Sequence, residues 1–146
     1  MVQVIFSRRH HPGSVLLRTF MWSPWSHCGI VTTNDTVIQA TTAGVVETPL
    51  QEFKDHSSKW AIVEYDADYA AVMITAQEQL GKKYDWAGCA GIALHRDWTD
   101  DDAWFCSELV AYSLAQGGAE LFRLEAKRIT PQHLWMLNRP VLLMAA

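Results

Sequence analysis

The sequence lacks the features that would place this protein in a membrane or on a nucleic acid. No uninterrupted apolar run approaches the roughly 20 residues that a membrane-spanning helix needs. Twelve Lys and Arg against 16 Asp and Glu give a net charge of −4. The short basic clusters Arg8-Arg9 and Lys82-Lys83 do not supply the excess of cations that displaces counterions from a polyanion. We therefore expect neither a transmembrane segment nor a nucleic-acid partner.

Paired cysteines are also missing. The chain has three cysteines and no Cys-x-x-Cys pair, so the usual ligand spacing of a tetrahedral zinc site is absent. The adjacent His10-His11 and the acidic loop 97–102 likewise lack metal-ligand spacing. We expect no metal and no other cofactor. An odd number of cysteines suits reduced thiols better than a disulfide framework.

The N-terminus does not have the charge order of a secretory signal. Its apolar residues, Val2–Phe6, precede Arg8 and Arg9, whereas a signal peptide carries its charges first. We expect a protein that is cytoplasmic as synthesised. Host lysis, a phage particle or a dedicated secretion system are the routes by which it could meet an external substrate.

Length and composition fit one folded domain over residues 1–146. A chain of this size with 49% apolar and 19% charged residues can bury a sizeable core and is not disordered. Strand patterns cluster in the first half and helix patterns in the second, which predicts an α+β fold. The predicted strands are 2–6, 27–33, 36–41, 45–48 and 60–65. The predicted helices are 15–22, a segment capped by Asp66 or Asp68 and running to 79, 84–94, 105–116 and 131–138.

Cys106 is the candidate nucleophile. It lies in the first turn of the predicted helix 105–116, where unpaired backbone N–H groups and the helix dipole favour a thiolate over a thiol. Lowering a cysteine pKa in this way is a common route to a nucleophile. The alternative is a buried and inert cysteine, because free cysteine often behaves as a small hydrophobe.

His27 is the candidate base among six histidines, because it begins a predicted strand that fixes the direction of its ring. Gly29 follows on the same strand and would let another element approach the backbone closely. Gln39 lies on the next predicted strand, where an antiparallel hairpin can place it beside His27 to orient the imidazole. Asp35 and Glu47 are lower-ranked alternative orienting residues. The alternatives are that His27 is a partly buried structural histidine and that Gln39 merely faces solvent.

These residues stand in an order that resembles a known superfamily. The segments that carry the resemblance are 26–31 (SHCGIV), 37–40 (VIQA), 44–46 (GVV), 81–85 (GKKYD) and 105–110 (FCSELV). Together they resemble the circularly permuted NlpC-type papain-like superfamily, which includes YiiX-like proteins and relatives of lecithin retinol acyltransferase. The resemblance spans roughly residues 14 to 116. In that superfamily the histidine is on an early strand and the nucleophilic cysteine comes late, at a helix start.

The resemblance implies a fold and a set of roles. The fold would be an antiparallel sheet of about five strands packed against helices, with the nucleophile at a helix N-terminus. Cys106 would be the nucleophile, His27 the general base and Gln39 the orienting residue, although relatives often have an acid or a histidine in that third place. The backbone N–H of Cys106 is a natural oxyanion donor.

Three aromatic residues are candidates for substrate binding or the oxyanion site: Tyr84, Trp25 and Trp104. Tyr84 precedes the nucleophile helix, and the two tryptophans flank the proposed histidine and cysteine. Packing in the core would explain all three equally well. The other two cysteines, Cys28 and Cys89, are interpreted as structural, since Cys28 follows His27 on a strand and points to the opposite face.

The resemblance favours a thiol hydrolase that acts through an acyl-enzyme on amides of small peptides, such as those of the cell wall. A lipid acyl hydrolase or acyltransferase is the alternative within the same chemistry. The alternative from another class is a non-catalytic binding or structural module, for instance in a phage or secretion particle.

Overall fold

The computed structural model describes residues 1–9, 23–84, 103–119, 121, 129–137 and 143–145. Its strands are β1 (Val2–Arg9), β2 (His27–Val31), β3 (Thr36–Thr41), β4 (Gly44–Pro49), β5 (Ser57–Tyr65), β6 (Lys83–Tyr84), β7 (Ala103–Trp104) and β8 (Leu143–Ala145). Its helices are α1 (Leu50–Asp55), α2 (Tyr69–Glu78), α3 (Cys106–Gln116) and α4 (Pro131–Met136).

The main sheet is antiparallel and has the strand order β4-β3-β2-β1-β5-β8. Five of its strands come from residues 2–65 and the sixth is the short strand β8 at the β5 edge. The predicted α+β architecture is therefore confirmed. A second sheet consists of the parallel pair β6 and β7.

The two faces of the sheet bury separate apolar clusters, because side chains alternate along each strand. The larger cluster joins the face carrying Phe6, Cys28 and Ile30 to helices α2 and α3. The smaller cluster lies on the opposite face, where Phe53 of α1 covers Ile5 and neighbouring residues. All five residues of β2 are buried, since both faces of this central strand are covered.

Helix α3 lies in the larger core, and eight of its residues are buried. It begins at Cys106, one residue after the predicted start, with Phe105 as the N-cap residue in an extended conformation. Helix α2 also begins where the sequence indicates, since the Asp68 side chain accepts a hydrogen bond from the Ala71 N–H at 2.8 Å.

The sequence prediction missed four short elements: α1, β6, β7 and β8. Helix α1 was not predicted, because it has only six residues and buries only Phe53, which leaves no periodic pattern to detect. Strand β8 is too short to give a strand signal. The predicted helix start at Tyr84 is wrong: Lys83–Tyr84 pair with Ala103-Trp104 as strands, so the backbone at Tyr84 is extended.

Several sequence predictions lie outside the described residues. They are the helix 15–22, most of the helix 84–94, the acidic loop 97–102, Cys89 and His10-His11. Of the helices that the structure describes, none is both long and apolar enough to cross a membrane.

Candidate active site

Cys106 is placed by the start of α3. It is the first residue of this helix and is only 1% exposed. Glu108, two residues further on, accepts a hydrogen bond from the Phe105 N–H at 3.2 Å and so ties down the N-cap. The first-turn N–H groups of a helix have no partner within the helix, and its dipole favours a negative charge there. The location therefore suits a thiolate.

The thiol of Cys106 is in contact with two side chains of β2, His27 and Cys28. Burial tends to raise the pKa of the Cys106 thiol, but hydrogen bonding to the Cys28 thiol and the charge and hydrogen bond of His27 outweigh it and lower this pKa well below its usual value. The backbone of Cys28 adds a further hydrogen bond to the sulfur. Burial, together with the neighbouring Cys106, raises the pKa of the Cys28 thiol. Of the two thiols, Cys106 is therefore the one that ionises more readily.

His27 is held on two sides. It begins β2 and is 8% exposed. Its ring stacks on that of Phe53, with the centroids 5.6 Å apart and the planes inclined by 25°. Its Nε2 lies 2.7 Å from Oε1 of Gln39, on the neighbouring strand β3. Because an amide oxygen can only accept, Nε2 carries the proton in this hydrogen bond. Nδ1 is then the ring nitrogen that can take a proton from the Cys106 thiol.

Gln39 is itself fixed by two further hydrogen bonds. Its Oε1 accepts a second hydrogen bond from Nη2 of Arg9 at 3.0 Å. Its Nε2 donates to Oγ1 of Thr48, on β4, at 2.7 Å. The guanidinium of Arg9 also lies over the Phe53 ring, 5.5 Å from its centroid. Phe53 therefore packs against both the His27 ring and the Arg9 guanidinium, which lies behind Gln39.

The structure brings together the three residues that the sequence singles out for catalysis, Cys106, His27 and Gln39. The two alternative orienting residues do not take the place of Gln39. Asp35 is exposed in the turn between β2 and β3, with φ of 54°. Glu47 is exposed on β4, where it accepts a hydrogen bond from Thr36.

The three aromatic candidates lie in different surroundings. Trp25 is buried in an aromatic cluster, with ring centroids 6.2 Å from Phe6 and 4.9 Å from Trp135. Trp104, two residues before Cys106, is half-buried and packs on Tyr112, with the ring centroids 5.1 Å apart. The backbone of Tyr84 pairs with Trp104, whereas its side chain lies outside the described part of the structure. A role for any of the three in substrate binding stays a prediction.

Four residues of the site were not found from the sequence: Arg9, Cys28, Thr48 and Phe53. Arg9 was considered only as part of a basic cluster, and Phe53 belongs to the helix that was not predicted. Cys28 is buried in the core as expected, but its thiol also contacts Cys106. None of these four contacts has a local sequence signal, because each joins separate strands or helices.

Cys28 offers a direct test of how the thiolate is stabilised. Replacing it with alanine removes a hydrogen-bond donor to the Cys106 sulfur, so we expect the pKa of Cys106 to rise. Cys28→Ser keeps a donor at the same place and is expected to raise it less. The pH dependence of iodoacetamide alkylation at Cys106 measures both values. Equal pKa values in the alanine variant and the parent protein would show that Cys28 does not stabilise the thiolate.

Comparison with known proteins places this geometry in a family. No curated protein matches the chain. A solved structure, entitled "Crystal structure of metalloprotein yiiX from Escherichia coli O157:H7, DUF1105", is similar with a TM-score of 0.74 and 19% identity, over 99% of this chain and 95% of that one. Residues 3–136 match the family described as "Permuted papain-like amidase enzyme, YaeF/YiiX, C92 family". The match covers most of the sequence, and the chain therefore belongs to the YaeF/YiiX family of permuted papain-like amidases.

Proposed function

We propose that this protein is a cysteine-dependent amidase in which Cys106 is the nucleophile, His27 the general acid and base, and Gln39 the residue that orients His27. One observation carries the proposal. A thiol of lowered pKa at the start of a buried helix contacts the imidazole of His27, whose Nε2 is 2.7 Å from the side-chain oxygen of Gln39. A nucleophile, a base within reach and a third group that orients the base are the parts that covalent acyl transfer needs.

The reaction begins with attack of the Cys106 thiolate on the carbonyl carbon of the substrate. A C–S bond forms and the carbonyl π electrons move to the oxygen; the oxyanion donor in this proposal is the backbone N–H of Cys106, in the first turn of α3. The tetrahedral intermediate collapses as the C–N bond breaks and Nδ1 of His27 gives its proton to the leaving amine. An acyl-enzyme and a free amine result.

In hydrolysis of the acyl-enzyme the same two side chains exchange their parts: His27 first accepts a proton, and the Cys106 sulfur is the leaving group. Nδ1 of His27 takes a proton from water, the hydroxide adds to the thioester carbonyl, and the C–S bond breaks to release the acid and the thiolate. Throughout both steps the Nε2–H of His27 remains hydrogen-bonded to Gln39. An amide gives less stabilisation to the imidazolium than a carboxylate would, because it carries no net charge.

The substrate class that we favour is the amide bond of small peptides, such as those of the cell wall. The support is the description of the family as amidases, together with the site's capacity for acyl transfer. Lipid esters would require the same chemistry at Cys106, so they are included in the experiment below.

A metal is suggested only by the name of the Escherichia coli neighbour, which is called a metalloprotein. In the residues that the structure describes, no three His, Cys, Asp or Glu side chains converge as metal ligands would. The described residues therefore do not fit a metal centre, and the steps proposed above use only side-chain and backbone groups of the chain.

Mass spectrometry of the intact protein tests the proposal. After incubation with a library of peptide amides and lipid acyl donors, we expect an acyl adduct at Cys106 from a peptide donor. The adduct should be absent in Cys106→Ala. An adduct at another residue, or a Cys106 that reacts with iodoacetamide no faster than a denatured-chain thiol, would contradict the proposal and favour a binding module. Adducts from lipid donors alone would overturn the substrate class but not the mechanism.

A further inference from the structure

Arg9 lies behind the orienting glutamine, at the end of β1. The pairing of β1 with β5 shifts register between Arg8 and Arg9: Arg8 pairs with Lys59 and Arg9 with Ser57, which leaves Ser58 of β5 without a pairing partner on β1. The Arg9 N–H donates to Oγ of Ser26 at 3.1 Å, and its Nη2 donates to Oε1 of Gln39 at 3.0 Å. The same Oε1 is the acceptor for Nε2 of His27. Oε1 of Gln39 therefore links the Arg9 guanidinium to the His27 ring.

Without a cation at this place, the Gln39 amide would have two nearly equivalent orientations. In the observed one, Nε2 of Gln39 donates to the Thr48 hydroxyl and Oε1 accepts from His27. If the amide turned over, the Thr48 hydroxyl could donate to Oε1, because a hydroxyl both donates and accepts. The amide NH₂ would then donate to Nε2 of His27, whose proton would reside on Nδ1. Thr48 and His27 can thus satisfy either orientation.

Arg9 removes this equivalence because a guanidinium has donors and no acceptor. It forms a hydrogen bond with Oε1, whereas an inverted amide would present its NH₂ group to the cation. The observed orientation alone therefore satisfies all three neighbours of the Gln39 side chain. Phe53 keeps the other two partners in place, since its ring packs on both His27 and Arg9.

We propose that Arg9 is a positioning residue that fixes the orientation of the Gln39 amide and thereby the Nε2–H tautomer of His27. The inference rests on the proposed function in one respect, namely that His27 acts as the base for Cys106. With the proton on Nε2, the Nδ1 lone pair is free to accept the thiol proton. With the proton on Nδ1, the imidazole could not take that proton until the ring had changed its tautomer.

The tautomer can be measured directly by ¹⁵N NMR of the His27 ring, in a Cys106→Ala background and at a pH where the imidazole is neutral. We expect the Nε2–H form to dominate when Arg9 is present. In Arg9→Met the ratio of Nε2–H to Nδ1–H should fall by about tenfold or more, which is the effect of losing a hydrogen bond from a charged donor. Arg8→Met removes the neighbouring, exposed arginine and should leave the ratio unchanged.

A second pair of variants keeps the test informative if Arg9→Met perturbs the fold. In Gln39→Glu both side-chain oxygens are acceptors, so no amide orientation remains to be fixed. Adding Arg9→Met to Gln39→Glu should then leave the Nε2–H tautomer dominant. Arg9→Lys supplies another donor without an acceptor and should restore part of the ratio that Arg9→Met loses.

Three results would overturn the inference. They are a dominant Nδ1–H form in the presence of Arg9, an unchanged ratio in Arg9→Met, and a similar loss of Nε2–H when Arg9→Met is combined with Gln39→Glu. The readout is a ring proton and requires no substrate. Failure of the inference is therefore distinguishable from failure of the proposed amidase activity, which the acyl-adduct experiment reports separately.

Discussion

His27→Ala is expected to slow acylation of Cys106 at neutral pH by at least about a hundredfold, the lower range for loss of a general acid or base. Two effects contribute. The thiolate loses the charge and the hydrogen bond that lower the pKa of Cys106. The leaving amine also loses the group that would protonate it. The first effect lowers the fraction of Cys106 that is ionised, and the second slows cleavage of the C–N bond.

The pH dependence separates these two effects. Thiolate, not thiol, is alkylated by iodoacetamide, and the lowered pKa of Cys106 keeps the thiolate populated below about pH 8.5, the usual pKa of a thiol. In His27→Ala we expect this pKa to rise, so alkylation should begin at higher pH. It should approach the parent rate at a pH where Cys106 is ionised in both the variant and the parent protein. Acylation by a peptide amide should remain slow even there, because no proton donor has been restored.

The matched control is His56→Ala, which removes an exposed histidine at the end of α1. It should leave both pH profiles unchanged. An alkylation profile of His27→Ala that superimposes on that of the parent protein would show that His27 does not lower the pKa of Cys106. The contact between β2 and α3 would then not affect the ionisation of Cys106.

Gly29→Ala is expected to lower the free energy of unfolding by about 1–3 kcal/mol, as overpacking of a well-packed core does. A Cβ atom at this position would lie 2.5 Å from Cγ1 of Val37, 3.0 Å from the Ile38 carbonyl oxygen and 3.2 Å from Cβ of Gln39. Val37 is fully buried, and the carbonyl belongs to the adjacent strand β3. The contact can therefore be relieved only by moving β3 away from β2.

The same displacement should lengthen the hydrogen bond between His27 and Gln39. We therefore expect Gly29→Ala to slow acylation of Cys106 as well as to shift the midpoint of urea unfolding to lower concentration at an unchanged slope. Gly118→Ala is the control. Its Cβ would meet nothing within 4 Å, although a φ of +86° adds backbone strain of about 1–2 kcal/mol. It should lower stability without changing acylation.

If Gly29→Ala lost stability but kept its acylation rate, the packing of β2 on β3 would not control the geometry of His27 and Gln39. An unchanged midpoint of unfolding would contradict the close packing of β3 against Gly29. The sequence interpretation that a glycine here allows another element to come near is confirmed by the distances at Gly29.

Local signals in the sequence were sufficient for much of the fold near the site. Asp68 was predicted as a possible helix cap, and the helix start at residues 105–106 agrees with the structure to within one residue. These features depend on neighbours a few positions away, such as a capping side chain or an apolar repeat. Helix α1 and the strand at Tyr84 were not predicted correctly, because both are too short for a periodic pattern and are fixed by contacts with distant segments.

The sequence by itself determined the chemical types at the site: a cysteine at a helix start, a histidine at a strand start and an amide on the following strand. Only the tertiary structure decided what surrounds them. The hydrogen bond from Arg9 to Gln39 joins residues 30 positions apart, and it depends on the order of β1, β2 and β3 and on the register shift between β1 and β5 at Arg9. Phe53 reaches His27 from a helix that folds onto the opposite face of the sheet from Cys28. Such contacts follow from the order of the strands and the face on which each side chain lies, which no short segment encodes. They determine which groups surround the Cys106 sulfur and the Gln39 amide.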